Sequence, residues 1–81
     1  MERPGDGESS DVAIRDEVIR DEMIRLGQFL KLAGLIDSGA EAKPVIASGA
    51  VAVNGAIELR RGRQLRRGDV VTLGDEVVRV A

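Results

Sequence analysis

Three turn signals cut the second half of the chain into pieces too short for anything but strands. Asn54-Gly55, Gly68-Asp69 and Gly74-Asp75 each place a glycine beside an amide or acid side chain, which is the chemistry tight turns demand. Between the turns lie Val51-Ala52-Val53, then Ile57 and Leu59 alternating with Glu58, then Val70-Val71-Thr72-Leu73 and Val77-Val78-Arg79-Val80. Short β-branched runs bounded by turns predict antiparallel strands. Asn54-Gly55 is the strongest of the three signals, and it predicts a hairpin with Ile57 and Leu59 in the return strand.

The preceding segment has a different period. Leu26, Phe29, Leu30 and Ala33 recur at i, i+3, i+4 and i+7, one apolar stripe of a helix that Gly34 would stop. Gln28 and Lys31 lie off the stripe and face outward. Ser38-Gly39-Ala40-Glu41 has the pattern of a capping box, with the Ser38 hydroxyl and the Glu41 carboxylate each reaching a backbone N–H. A second helix should follow, with Ala42, Val45 and Ile46 inward and its end at Gly49. Pro44 allows two versions. Either a helix started at Ser38 kinks there, or the regular part starts near Glu41 and Pro44 falls in the tolerated first turn. Residues 11–24 also read two ways: Val12, Ile19, Met23 and Leu26 can share a helical face, and a strand near Glu17–Arg20 fits as well. The order is helix, helix, small antiparallel sheet, an α+β arrangement with room for one added N-terminal strand.

Eighty-one residues permit one small domain. The net charge of −2 conceals a division. Residues 1–22 hold eight acids against three arginines, net −5, and residues 23–81 hold nine bases against six acids, net +3. Within the basic part, Arg60-Arg61-Gly62-Arg63-Gln64-Leu65-Arg66-Arg67 carries five arginines and no acid. Five guanidiniums in one loop repel one another unless an anion relieves them, and the arginine fork matches phosphate. Phe29 is the one aromatic, so a platform for stacking single-stranded bases is not expected. With no Cys and no His, thiol chemistry, a Cys/His zinc site and a histidine base are excluded. No nucleophile stands beside a base and no glycine-rich phosphate loop opens a helix, so no catalytic residue, metal or cofactor is expected. No apolar run approaches the roughly 20 residues of a membrane span, and a cytoplasmic protein is expected.

Arg25-Leu26-Gly27-Gln28-Phe29-Leu30-Lys31, Gly34-Leu35, Ser38 to Lys43, Ile46 to Gly55 and Gly68-Asp69-Val70-Val71 together resemble the S-four RNA-binding domain, the type named for the fourth protein of the small ribosomal subunit. The likeness is strongest to short stand-alone bacterial members. It implies a two-helix αL motif on a small antiparallel sheet that docks on structured RNA, with ribosomal RNA or a ribosome-assembly intermediate the expected target. It divides the chain into a disordered acidic leader (1–10), an N-terminal extension (11–24) and the RNA-binding domain (25–81). Arg25, Lys31, Ser38 and Lys43 match the family's RNA-facing positions. Gly27 stands where the family usually has Asp, and Gly39 where many members have Arg, which shifts expected RNA contact toward Arg60, Arg61, Arg63, Arg66 and Arg67. The expected partners are rRNA or tRNA, with ribosomal proteins a further class, bound by a monomer. A protein–protein interaction module is the alternative reading, and the acidic leader fits a solubility segment, a strip lying over the arginines or a contact for a protein partner.

Overall fold

The computed structural model describes residues 13–81; the expected acidic leader, residues 1–10, lies outside them. In chain order the elements are β1 (Ile14–Glu17), β2 (Met23–Arg25), α1 (Leu26–Leu32), a 3₁₀ turn (Gly39–Glu41), α2 (Ala42–Ala47), β3 (Val51–Val53), β4 (Ala56–Ile57), β5 (Gln64–Arg66), β6 (Val70–Leu73) and β7 (Glu76–Val80). Five strands form one sheet in the order β1-β7-β6-β3-β4, and β2 pairs with β5 in a separate two-stranded ribbon.

The turn signals fall where the sequence places them. Asn54 and Gly55 have φ of +52° and +87°, the two left-handed positions of a type I′ turn, and they set Val53 opposite Ala56. Asn54 also does more than turn the chain. Its side-chain oxygen accepts from the Val70 N–H at 2.9 Å and its amide donates to Asp69 Oδ1 at 3.1 Å. The Asp69 carboxylate accepts in addition from the Arg66 N–H at 2.8 Å. Two turns distant in sequence are thereby bonded to each other.

The sheet is antiparallel from β4 through β3 and β6 to β7. β1 extends it at the edge in the parallel sense, with Ile14 opposite Val77 and Glu17 opposite Val80. The 11–24 segment is therefore strand on both sides of a bend, and its helical version does not form. Ile19 lies between the two strands and is buried at 4% exposure.

The apolar stripe of α1 is the centre of the core. Leu26, Phe29 and Leu30 have no exposed surface, and they meet Ile46 of α2 together with Leu65, Val51, Val71 and Val78 from the strands. α1 ends in a Schellman motif: Leu35 N–H donates to Leu30 O at 2.9 Å and Gly34 N–H to Lys31 O at 3.0 Å. The last carbonyls also attract a cation, since Arg15 Nη2 of β1 donates to Ala33 O at 2.7 Å.

Two local expectations change. The Ser38–Glu41 capping box is not formed. Ser38 makes no side-chain cap bond, and Glu41 accepts instead from the Asp37 N–H at 2.7 Å. The tight 3₁₀ turn carries the chain into α2, which starts at Ala42. Pro44 is then the third helical residue, where no intrahelical N–H is required. Second, the alternation after Asn54-Gly55 is present with the unexpected face inward. Glu58 is buried at 8% exposure, whereas Ile57 and Leu59 are 68% and 60% exposed. The ladder stops at Ile57, and the Glu58 N–H bonds Val51 O at 3.0 Å.

Leu65 alone among the β5 side chains is buried, and it ties the small ribbon to the main core. Leu65→Ala should reduce unfolding free energy by about 2–5 kcal/mol, a large part of the roughly 5–15 kcal/mol typical of small domains. Urea denaturation followed by circular dichroism checks this.

Candidate functional site

The loop between β4 and β5 is built around one carboxylate. Arg63 N–H donates to Arg60 O at 3.2 Å, closing a turn with Arg61 and Gly62 at its tip. Glu58 sits beneath. Its Oε2 accepts from the Arg60 N–H at 3.1 Å and from Arg60 Nε at 3.0 Å, and its Oε1 accepts from Arg63 Nη1 at 2.6 Å. The Glu58 side chain is 10% exposed, against 75% for Arg60 and 33% for Arg63. Hydrogen bonds from the side chains of Arg60 and then Arg63, followed by the Arg60 N–H, hold the Glu58 carboxyl down from its ordinary 4.5 to about 2. The same contact with Glu58 pushes the Arg60 guanidinium up. For Asp69, burial pushes the carboxyl up, but the Arg66 N–H, the Asn54 amide and the charges of Arg63 and Arg66 outweigh it and the net shift is downward.

The turn is docked on the start of α1. Helices leave their first N–H groups without intrahelical partners. Here Leu26 N–H donates to Arg63 O at 2.8 Å and Gly27 N–H to Arg61 O at 3.0 Å. The approach is close enough to require glycine. A Cβ on residue 27 would lie 2.7 Å from Arg61 Cγ and 3.4 Å from Ala42 Cβ.

This docking creates an open cleft of about 510 Å³. Arg25 from the end of β2, Lys31 from α1 and Arg61 from the turn supply its positive charge. Gly27, Gly39 and Gly62 line it with backbone, and no acidic residue does. A second depression of about 430 Å³ lies against Arg60, Gly62, Arg63 and Gln64. A third groove, about 670 Å³, is more apolar, with Val18, Met23, Ile24 and Leu32 in its lining. It adjoins the first through Gln28 and Lys31, which line both.

The expected site residues are thus divided among several environments. Arg25, Lys31 and Arg61 converge. Arg60 and Arg63 are paired with Glu58. Arg67 Nη2 donates to Ile19 O at 2.8 Å and anchors the bend after β1. Arg66 is exposed on β5 opposite Met23. Ser38 and Lys43 are exposed and line none of these three clefts, although Gly39 beside Ser38 does. Two members of the site were not among the expected contacts. Gln28 was read only as an outward residue. Glu58 carried a signal, as the acid standing two residues before Arg60 and five before Arg63.

Residues 18–81 match the S4 domain. The solution structure of YbcJ from E. coli, which reveals an αL motif involved in RNA-binding, is 34% identical with a TM-score of 0.61, covering 91% of this chain and 92% of that one. The crystal structure of the 30S ribosomal protein S4e from Thermoplasma acidophilum is 25% identical with a TM-score of 0.57. It is covered over 74% of this chain and 32% of its own, so the chain spans about a third of that protein. No curated protein matches in sequence.

Because the folded Glu58 carboxyl lies below its ordinary 4.5, its ion pairs stabilise the fold above that pH and lose their effect as pH falls toward about 2. Wild type should melt at a higher temperature than Glu58→Gln near neutrality, and the gap should close over this acid range. Thermal melts of the two proteins across that pH series check it.

Proposed function

The chain belongs to the S4 domain family, and from that membership we propose that it is an RNA-binding module whose principal contact surface is the cleft between Arg25, Lys31 and Arg61. The observation that carries this reading is the convergence of three cations from three separate elements on one open cleft lined by glycines and free of acids. Glycine backbone lets a phosphate or ribose come close, and three separated charges suit successive phosphates better than one small anion.

The ligand class follows from what the surface lacks. Phe29 is fully buried in the core, so no described aromatic offers a stacking face. Recognition then rests on phosphates, 2′-hydroxyls and the shape of a folded RNA, as expected for A-form helices with their shallow minor groove. The two solved relatives support this class: YbcJ has a motif involved in RNA-binding, and S4e is a ribosomal protein. We extend the proposal to ribosomal RNA or a ribosome-assembly intermediate as the target, bound by a monomer in the cytoplasm. Crosslinking in cells followed by sequencing of the attached RNA tests the target. Recovery of mainly tRNA or messenger RNA would replace it.

The pairing of Arg60 and Arg63 with Glu58 lowers the number of cations available for phosphate. With about three phosphate contacts, log affinity should fall against log salt with a slope of about −2 to −3. Arg61→Gln and Lys31→Gln should each weaken binding to structured RNA by about tenfold at low salt and reduce that slope by about one. Lys43→Gln, outside the cleft, should change affinity by less than about twofold. Filter binding over a salt series measures all three, and equal losses from Lys31→Gln and Lys43→Gln would remove the cleft from the proposal.

A further inference from the structure

We infer that Glu58 is a positioning residue for the cleft: by holding both ends of the Arg60–Arg63 turn, it sets Arg61 over Gly27 for contact with RNA. The inference rests on the RNA-binding reading above and adds a residue that touches no RNA itself.

The geometry is that of a staple. Arg60 and Arg63 are the first and last residues of the turn, joined by the Arg63 N–H bond to Arg60 O. Glu58 reaches both. One oxygen takes the Arg60 backbone N–H and Nε, and the other takes Arg63 Nη1. Arg61, at the tip between them, is involved in neither ion pair and lines the cleft. Because the Arg61 and Arg63 carbonyls accept the two α1 bonds, a shift of the turn would move Arg61 away from Arg25 and Lys31.

The two arginines are not readily transferred to RNA. Glu58 is 90% covered in its side chain, and stripping its partners would leave a buried carboxylate unpaired, a costly state. Arg60 and Arg63 are therefore committed to shape, while Arg61 is left to bind. The competing view is that Glu58 only dilutes the positive charge of the loop.

The two views differ in sign. Glu58→Gln keeps the side-chain shape and one acceptor oxygen, and it makes the protein one charge more positive. If Glu58 only dilutes charge, RNA binding tightens. If it positions Arg61, binding weakens by about three- to tenfold despite the added charge. The dependence on Arg61 is tested by a double-mutant cycle. In an Arg61→Gln background, Glu58→Gln should change affinity by less than about twofold. Binding that is unchanged or tighter in Glu58→Gln, or weakened equally in both backgrounds, overturns the inference. Melting curves establish that each variant is folded at the assay temperature.

A spectrum of the free wild-type protein decides the matter where the variant unfolds or where no RNA binds. Arg60 and Arg63 should show resolved, slowly exchanging guanidinium signals, with Arg61 averaged. Rapid averaging of Arg60 and Arg63 overturns the positioning role. Absence of RNA binding by wild type, with those signals protected, would overturn the RNA reading and leave the stapled turn standing.

Discussion

The first turn of α1 governs this structure, because three separate parts of the chain meet at its unpaired N–H groups. The helix begins directly after β2, so its entry direction is set by the β2–β5 ribbon. Its Leu26 and Gly27 N–H groups are taken by the carbonyls of Arg63 and Arg61. The buried stripe of the same helix then fixes it to the sheet through Leu26, Phe29 and Leu30. Move the loop and the helix start loses two hydrogen bonds; move the helix and the loop loses its support. A helix terminus left unpaired at a partly buried site is unfavourable, so the arginine-rich segment is held as firmly as a strand.

That firmness changes what five nearby arginines mean. As free charges they would repel and would together form one broad anion-binding patch. In the fold they have distinct work: Arg60 and Arg63 neutralise Glu58, Arg67 anchors the Ile19 carbonyl, and Arg61 lines the cleft. A carboxylate with two guanidinium partners and a backbone N–H is satisfied on both oxygens, which is why an acid can occupy a position where an apolar side chain would be the usual choice. The exposed Ile57 and Leu59 on either side are the corollary, since successive strand residues point to opposite faces.

Features with a local cause were legible in the chain. The Leu26–Ala33 stripe, the Asn54-Gly55 hairpin and the two Gly-Asp turns depend on neighbours within four residues, and each is where the residues place it. The family resemblance carried Arg25 and Lys31 to the cleft for the same reason, as both sit on locally defined elements. What was hidden is non-local. β1 is a strand because it pairs in parallel with β7, sixty-three residues away at Ile14 and Val77, and nothing within residues 11–24 distinguishes that from a helical face. Glu58 was hidden differently. Period-2 alternation fixes which residues share a face without fixing which face is buried; the arginines that arrive two and five residues later decide it.

Glycine at position 27 shows how the site's chemistry and its packing are one problem. The family resemblance implies an acid there, a side chain that would contribute its own charge to the RNA surface. Here the space such a side chain would occupy is filled by the stem of Arg61, whose Cγ stands 2.7 Å from where a Cβ would be. Exchanging an acid on the helix for a cation delivered from the loop reverses the local charge without lengthening either element. It also makes the cleft conditional, because Arg61 is in place only while the turn is docked on α1. Gly27 opens the space, the Leu26 and Gly27 N–H groups hold the backbone of the turn, and Glu58 holds its side chains. The binding surface of this domain is thus assembled by tertiary contacts around a helix start, and its specificity is a property of how the loop closes as much as of the charges it carries.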